Sequence, residues 1–290
     1  MYETFYGLKR RPFSTLPDPE FIYWSKGHEM ALTMLRYGVM TRAPITVITG
    51  EIGAGKTTLV RHLLNELPED LTTGLVSNLQ EGRGELLQWV LMALDQPVEA
   101  QESYVSLFRR FQDFVIQSYA AGRRVLLLID EAQNLGVKML EELRMLTNIN
   151  SEGDDLLQLI LVGQPQLRDL LNQPELVQFA QRITSDFCLN PLGPTETAAY
   201  IRRRLEIAGA EREIFTPRTC ELIHQATGGT PRLINSLCDL CLVYGYSDNR
   251  HIVDEDLLIE FLNSAKNRGI YNQFRPIDPK PSVVGAAASG

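Results

Sequence analysis

The chain has few cysteines, few histidines, no excess of positive charge and no long apolar run. Its four cysteines, Cys188, Cys220, Cys238 and Cys241, contain one close pair. Cys238 and Cys241 stand three apart on what reads as a buried helix, and no second pair or histidine cluster completes a tetrahedral site. Packing therefore replaces zinc or redox chemistry as their expected role, and reduced thiols fit a cytosolic protein. No stretch approaches the ~18 apolar residues of a membrane-spanning helix. Met1 to Arg11 mixes aromatic and basic residues without the apolar centre of a secretory leader, so neither feature is expected. The formal charge of −8 is not the footprint of a broad, non-specific nucleic-acid binder. What is present is 290 residues with 44% hydrophobic content, enough for a substantial core and more than one minimal domain.

Residues Gly50 to Thr57 read Gly-Glu-Ile-Gly-Ala-Gly-Lys-Thr and fit the phosphate-loop pattern GxxxxGKT without a mismatch. A turn wrapped around a triphosphate must bring backbone N–H groups close to phosphate oxygens, where a Cβ would intrude. Gly50, Gly53 and Gly55 leave that room. Lys56 carries an ammonium able to reach the β- and γ-phosphates, and the Thr57 hydroxyl is placed to ligate Mg²⁺. The flanks agree, because Ile45 to Thr49 is a β-branched strand run and Thr58 to Leu64 has a helical pattern. The expected nucleotide contacts are Gly50, Glu51, Ile52, Gly53, Ala54, Gly55, Lys56, Thr57 and Thr58.

A phosphate loop of this kind needs a carboxylate partner. Val125 to Ile129 is an unbroken apolar run, the pattern of a strand buried on both faces, and it ends in Asp130-Glu131. Both carboxylates would emerge at the carboxyl end of a parallel strand, where open α/β sheets bind ligands. Asp130 is expected to hold Mg²⁺ and Glu131 to polarise the attacking water.

Strand and helix patterns alternate as far as Pro191, after which only helical patterns follow. Beyond the first strand, candidates are Thr72–Asn78, Val125–Ile129, Leu157–Val162 and Ile183–Leu189. Helical stretches near Glu85–Leu94, Tyr104–Tyr119 and Lys138–Leu146 separate them, giving a parallel five-stranded sheet with crossover helices. Helices near Glu196–Ala208, Arg218–Ala226, Pro231–Tyr244 and Asp254–Ser264 form a small all-α lid. The expected divisions are an N-terminal segment 1–43 contacting the nucleotide site, an α/β core 44–192, a lid 193–266 and a flexible tail 267–290 rich in Pro and small residues. Arg202-Arg203-Arg204 reads as a solvated helix face. His28 and His62 read as packing or surface residues.

These features together resemble the AAA+ ATPases, and within them the general secretion pathway protein A (ExeA-type) group. The text that carries the resemblance is Phe5-Tyr6-Gly7-Leu8, Pro12-Phe13, Pro17-Asp18-Pro19, Asp130-Glu131-Ala132-Gln133-Asn134-Leu135, Val162-Gly163-Gln164-Pro165, Gln181-Arg182-Ile183 and Gly229-Thr230-Pro231-Arg232-Leu233-Ile234-Asn235. The resemblance implies a P-loop NTPase fold, Mg²⁺-dependent ATP hydrolysis and self-association into a ring or filament. It implies that Gln164 occupies the sensor-1 position, Arg232 the sensor-2 position, and Arg182 the arginine finger offered to a neighbouring subunit, with Arg168 a weaker rival. Ser185-Asp186 follow where relatives carry a second basic residue, which weakens that part of the expected subunit contact. It also implies that Pro12, Phe13 and the stretch around Pro17 to Pro19 wall the adenine pocket. The alternative for Phe13, Phe21, Tyr23 and Trp24 is that they pin the segment to the core.

Function divides three ways at this point. One reading is a cytoplasmic ATPase, peripheral at the inner membrane through a protein partner, that drives assembly of a secretion, pilus or envelope system. Another is a DNA-associated regulator of the transposition type, which the acidic charge disfavours. The third is a nucleotide switch with little turnover, against which the intact Glu131 and the candidate finger stand.

Overall fold

The computed structural model describes residues 1–15, 18–77, 79, 85–99, 101–151, 154–267 and 274–277. Pro17, Asn78 and the final stretch 278–290, with its expected Pro279 and Pro281, lie outside the described residues. The chain divides into two units, Trp24–Asn190 and a second made of Met1–Tyr23 with Pro191–Gly290.

The second unit contributes the first element, the short helix α1 (Glu3–Tyr6). The first unit then runs α2 (Lys26–Met40), β1 (Ile45–Gly50), α3 (Lys56–Glu66), β2 (Leu71–Val76), α4 (Leu86–Ala93), α5 (Tyr104–Ala120), β3 (Arg124–Ile129) and α6 (Val137–Leu146). It continues with a two-residue hairpin, β4 (Asn150–Ser151) and β5 (Asp154–Asp155), then β6 (Leu157–Gly163), α7 (Gln166–Leu171), α8 (Val177–Ala180) and β7 (Ile183–Leu189). The second unit resumes with α9 (Pro194–Ile207), α10 (Pro217–Thr227), α11 (Pro231–Ser247) and α12 (Glu255–Asn267).

The five long strands form one parallel sheet in the order β2-β3-β6-β1-β7, as the alternating pattern predicts. Every residue of β1 and β6 is buried, and so are five of the six in β3. That is why these runs are largely apolar, with Thr46, Thr49 and Gln158 as buried polar exceptions: helices cover both faces of the sheet. Chain order reverses where β6 inserts between β1 and β3, and crevices at such reversals are where α/β sheets place ligands. Register makes the consequence specific. Thr49 pairs with Gly163 and Leu127 with Leu159, so the carboxyl ends of β1, β6 and β3 open on the same edge of the sheet.

Helix α2 was not legible as a separate element, and it packs against the sheet beside β1 and β7. Ser25 caps it by accepting the His28 N–H, and its apolar stripe, Ala31, Leu32, Leu35 and Val39, is buried. At its far end the side-chain amide of Gln158 donates to Gly38 O at 3.1 Å and Arg124 donates to Val39 O at 3.2 Å, satisfying carbonyls that a helix end leaves open.

The second unit has its own core, in which Tyr2, Tyr6, Phe13 and Phe21 pack with α9 to α12. The expected boundary near residue 43 is therefore replaced: 1–23 belong with the helices, and α2 belongs with the sheet. Arg204 explains the capture of the N-terminal segment. Expected on a solvated face, it is buried, donating to Pro12 O at 2.6 Å, Ser14 O at 3.3 Å and Tyr200 Oη at 2.9 Å, with its guanidinium over the Phe21 ring. Arg202 and Arg203 are exposed as expected. Within the expected tail, Arg275 donates its backbone N–H to Ala226 O at 2.7 Å, and Phe274 and Ile277 pack on this same core. Residues 274–277 are thus held by apolar burial and a backbone bond.

Candidate functional site

The phosphate loop leaves β1 at Gly50 and enters α3 at Lys56. Gly53 and Gly55 have φ of 79° and 103°, a region that disfavours any residue with a Cβ. Gly50 has a different reason to be glycine. A Cβ there would lie 2.7 Å from the Leu189 carbonyl oxygen of the neighbouring strand, so its small size serves strand packing. Glu51, Ile52 and Thr57 are exposed, Thr58 is half-buried and Ala54 is buried.

Lys56 is 6% exposed and folds back over the loop, donating from Nζ to Gly50 O at 2.8 Å and Glu51 O at 3.0 Å. Burial pulls its ammonium below the ordinary lysine value, while the charges of Glu131, Asp130 and Glu51 pull the other way. The ammonium is thus held among carbonyls and carboxylates, where an anionic ligand would find it partly desolvated.

The carboxylates arrive from β3. Thr57 Oγ1 donates to Asp130 Oδ2 at 3.1 Å, which sets a hydroxyl and a carboxylate side by side as oxygen donors of the kind Mg²⁺ takes. The donor chemistry and spacing of this pair fit that ion. Glu131 takes φ of 56°, a left-handed conformation that non-glycine residues rarely adopt and that concentrates at functional sites. Its Oε2 accepts from Gln133 Nε2 at 2.6 Å and from Gln164 Nε2 at 3.0 Å. Burial raises the Glu131 carboxyl, but the bonds from Gln164 and Gln133 and the Lys56 charge outweigh it, and the group sits below the ordinary glutamate value.

The sheet unit therefore brings together the loop residues with Asp130, Glu131 and Gln164. It also brings in His28, which the sequence reading left to packing. From the first turn of α2, His28 Nε2 lies 3.0 Å from Ala54 O and Nδ1 lies 2.7 Å from Ser25 Oγ. Because a carbonyl only accepts, Nε2 carries the proton there. The ring fits because residue 55 is glycine, where a Cβ would stand 2.8 Å from Nε2. The signal for His28 was its position three residues after a helix-capping serine, which aims the ring back along the chain.

Of the other expected site residues, Arg182 and Arg168 are in the sheet unit with partners of their own, and Arg232, Pro12 and Phe13 belong to the helical unit. Arg182 precedes β7 and donates from Nη1 to Thr147 Oγ1 at 2.9 Å. Ile183 pairs with Ile45 whereas Leu189 pairs with Gly50, so Arg182 stands at the amino edge of the sheet, about 20 Å of strand rise from the loop. Arg168 is committed to Asp186 at 2.6 Å. Arg232 is exposed on the first turn of α11 in the helical unit. Pro12 and Phe13 are both buried within the helical unit's own core: Phe13 is 1% exposed and packs edge-on to Phe215, and the Pro12 carbonyl accepts from Arg204.

Cys220, Cys238 and Cys241 are buried, with burial pushing the Cys220 thiol up to about 11 and the other two well above their usual value. They pack, as the sequence implies. Among the described residues no helix is long and apolar enough to cross a membrane.

Comparison with known proteins bears on this geometry. A family model described as AAA domain matches residues 39–171. General secretion pathway protein A of Aeromonas hydrophila is 40% identical over 258 residues, which is 89% of this chain and 47% of that protein. The chain thus spans about half the length of the curated relative it matches. Among solved structures, the Aeropyrum pernix ORC2 protein is similar at a TM-score of 0.62 and 18% identity, over 93% of this chain and 73% of that one. Cdc6p of Pyrobaculum aerophilum gives 0.64 and 16%, over 83% and 67%, and Drosophila ORC bound to DNA gives 0.66 and 14%, over 94% and 69%. At these identities the structural likeness shows the fold. A 258-residue match must enter both units, and the AAA domain match covers the loop and the carboxylate pair, so the chain carries an AAA+ P-loop fold and is similar to general secretion pathway protein A over 89% of its length.

Proposed function

We propose that this chain binds ATP with Mg²⁺, hydrolyses it, and self-associates to do so. Turnover would drive assembly or remodelling of a partner in a secretion, pilus or envelope system. The observation that carries the hydrolytic reading is the convergence of Lys56, Thr57, Asp130, Glu131 and Gln164 at the carboxyl ends of three adjacent strands. Lys56 would exchange its loop carbonyls for phosphate oxygens, and the backbone N–H groups around Gly53 and Gly55 would cradle them. Thr57 and Asp130 would hold Mg²⁺, which when bound supplies charge neutralisation for the phosphates. Glu131 would take a proton from water, and its ionised state suits that work. Gln164 would orient that water or touch the γ-phosphate.

The remaining roles rest on the family resemblance. Arg232 would serve as a sensor of the phosphates from the helical unit. Arg182, far along the sheet from its own loop, would act on a neighbour's nucleotide, since an arginine finger works by neutralising charge that develops in phosphoryl transfer. The coupling to secretion rests on the name of the Aeromonas relative. A cytoplasmic protein held at the inner membrane by that partner is the matching location.

Glu131→Gln tests this reading. It keeps the size and the hydrogen bonding of the site but removes the base, so ATP should stay bound while turnover falls by at least 100-fold, within the range that general bases contribute. Sedimentation with ATP should then show a trapped oligomer. Undiminished turnover would remove Glu131 from the chemistry.

A further inference from the structure

Gln133 makes two bonds that point at a role in the same site. Its Oε1 accepts the backbone N–H of Gln164 at 2.9 Å, and its Nε2 donates to Glu131 Oε2 at 2.6 Å. The first bond fixes the second. A backbone N–H can only donate, so the amide oxygen must face Gln164 and the NH₂ must face the carboxylate. The side chain is also seated. Gly163, the last residue of β6, leaves room for it, since a Cβ there would lie 3.0 Å from Gln133 Oε1.

We propose that Gln133 is a positioning residue that ties Glu131 to the end of β6 and thereby aims one carboxylate oxygen at the attacking water. Two amides, from Gln133 and Gln164, converge on Oε2, and among the described residues no donor is bonded to Oε1. Oε2 is the anchored oxygen and Oε1 the working one. Without this tie, a glutamate in a left-handed backbone conformation on a short turn would sample several rotamers, and a general base misplaced by about 1 Å loses much of its effect. Because β6 lies between β1 and β3, the tie also sets Glu131 in the frame of the strand that separates it from the phosphate loop. The inference rests on the reading of Glu131 as the water-activating base.

The test uses the whole chain and measures ATP turnover, nucleotide affinity and melting temperature separately for Gln133→Ala, Gln133→Met and Gln133→Glu. Met keeps the side-chain length without either polar end, which separates lost bonds from lost filling. The expected result is a kcat lower by about 10-fold or more in Ala and Met. Gln133→Glu should lose more, because it puts a second carboxylate against Glu131. Nucleotide affinity should stay within about two-fold and the melting temperature unchanged, since a merely structural role would move those first. Gly163→Ala presses on the same amide but also on Leu167, so its kcat is read only beside its melting temperature. An unchanged or raised kcat in Gln133→Ala and Gln133→Met overturns the inference, as does a loss of affinity with kcat intact. If Glu131→Gln is inactive while the Gln133 variants turn over normally, only the inference fails. If the wild-type chain has no turnover, or Glu131→Gln retains it, the reading of Glu131 fails and takes the inference with it.

Discussion

His28 reaches the phosphate loop from outside the loop's own sequence. The loop's strained glycines must hold their shape with or without a ligand, and a single bond from His28 to Ala54 O restrains the segment between Gly53 and Lys56. Ser25 in turn fixes the imidazole, so cap and brace are one hydrogen-bonded unit. Replacing His28 with Ala removes the ring's bonds to Ala54 O and Ser25 Oγ, of which the one to the loop is worth about 1 kcal/mol net. That corresponds to roughly a 5-fold weaker affinity if the bond is lost from the binding-competent loop alone. His28→Gln, whose amide can still donate to Ala54 O, should recover part of it. Titration with a fluorescent ADP analogue reads both, and equal affinity in all three proteins would show that the loop needs no brace. The loop and the Asp130-Glu131 pair were legible as residues because their chemistry is local. His28 and Gln133 were not, because their roles depend on partners that only the folded backbone brings near.

Elements were legible in proportion to how far local pattern decided them. Strands β1, β3 and β6 are mostly apolar and buried because they are covered on both faces, and the apolar and β-branched runs announce them. Helix α2 carried a cap and an apolar stripe, yet Gly27 and Gly38 inside it blur a helical reading. Gly38 is there for packing, because a Cβ would overlap Thr46 Oγ1 on β1. Gly38→Ala should therefore destabilise by about 1 to 3 kcal/mol through overpacking, despite alanine's better helix propensity. Adding Thr46→Ala removes the obstructing oxygen, so the double variant should be less destabilised than the two single changes combined. Urea midpoints of the four proteins give the coupling. Additive losses would mean that the two elements are not in steric contact. The fate of residues 1–23 was illegible for another reason: the bond from Arg204 to Pro12 spans 192 positions, and no local pattern encodes such a pairing.

At the scale of the whole molecule, the sheet geometry makes a demand on assembly. Parallel pairing of β7 with β1 sends Leu189 to the phosphate loop and Arg182 to the opposite edge, about 20 Å away, beyond the reach of any arginine side chain. Arg168, the rival, already has Asp186 as a counter-ion, and that hydrogen bond leads the effects raising its pKa. If Arg182 is the finger proposed above, the geometry requires that it serve another copy. Arg182→Ala should fold and bind ATP yet turn over about 10³-fold more slowly, at the lower end of what such fingers contribute. Lys56→Ala should fail in its own site while keeping Arg182 intact. Mixed together, the two inactive proteins form interfaces in which an intact loop meets an intact arginine, so part of the activity should return and should peak at an intermediate ratio. Mixing each with the Glu131→Gln protein sharpens the result: Lys56→Ala should give no recovery, because neither partner then supplies a complete loop and base, whereas Arg182→Ala should recover. Recovery in no mixture would mean that each copy hydrolyses ATP alone, and the finger would have to be sought outside the sheet unit.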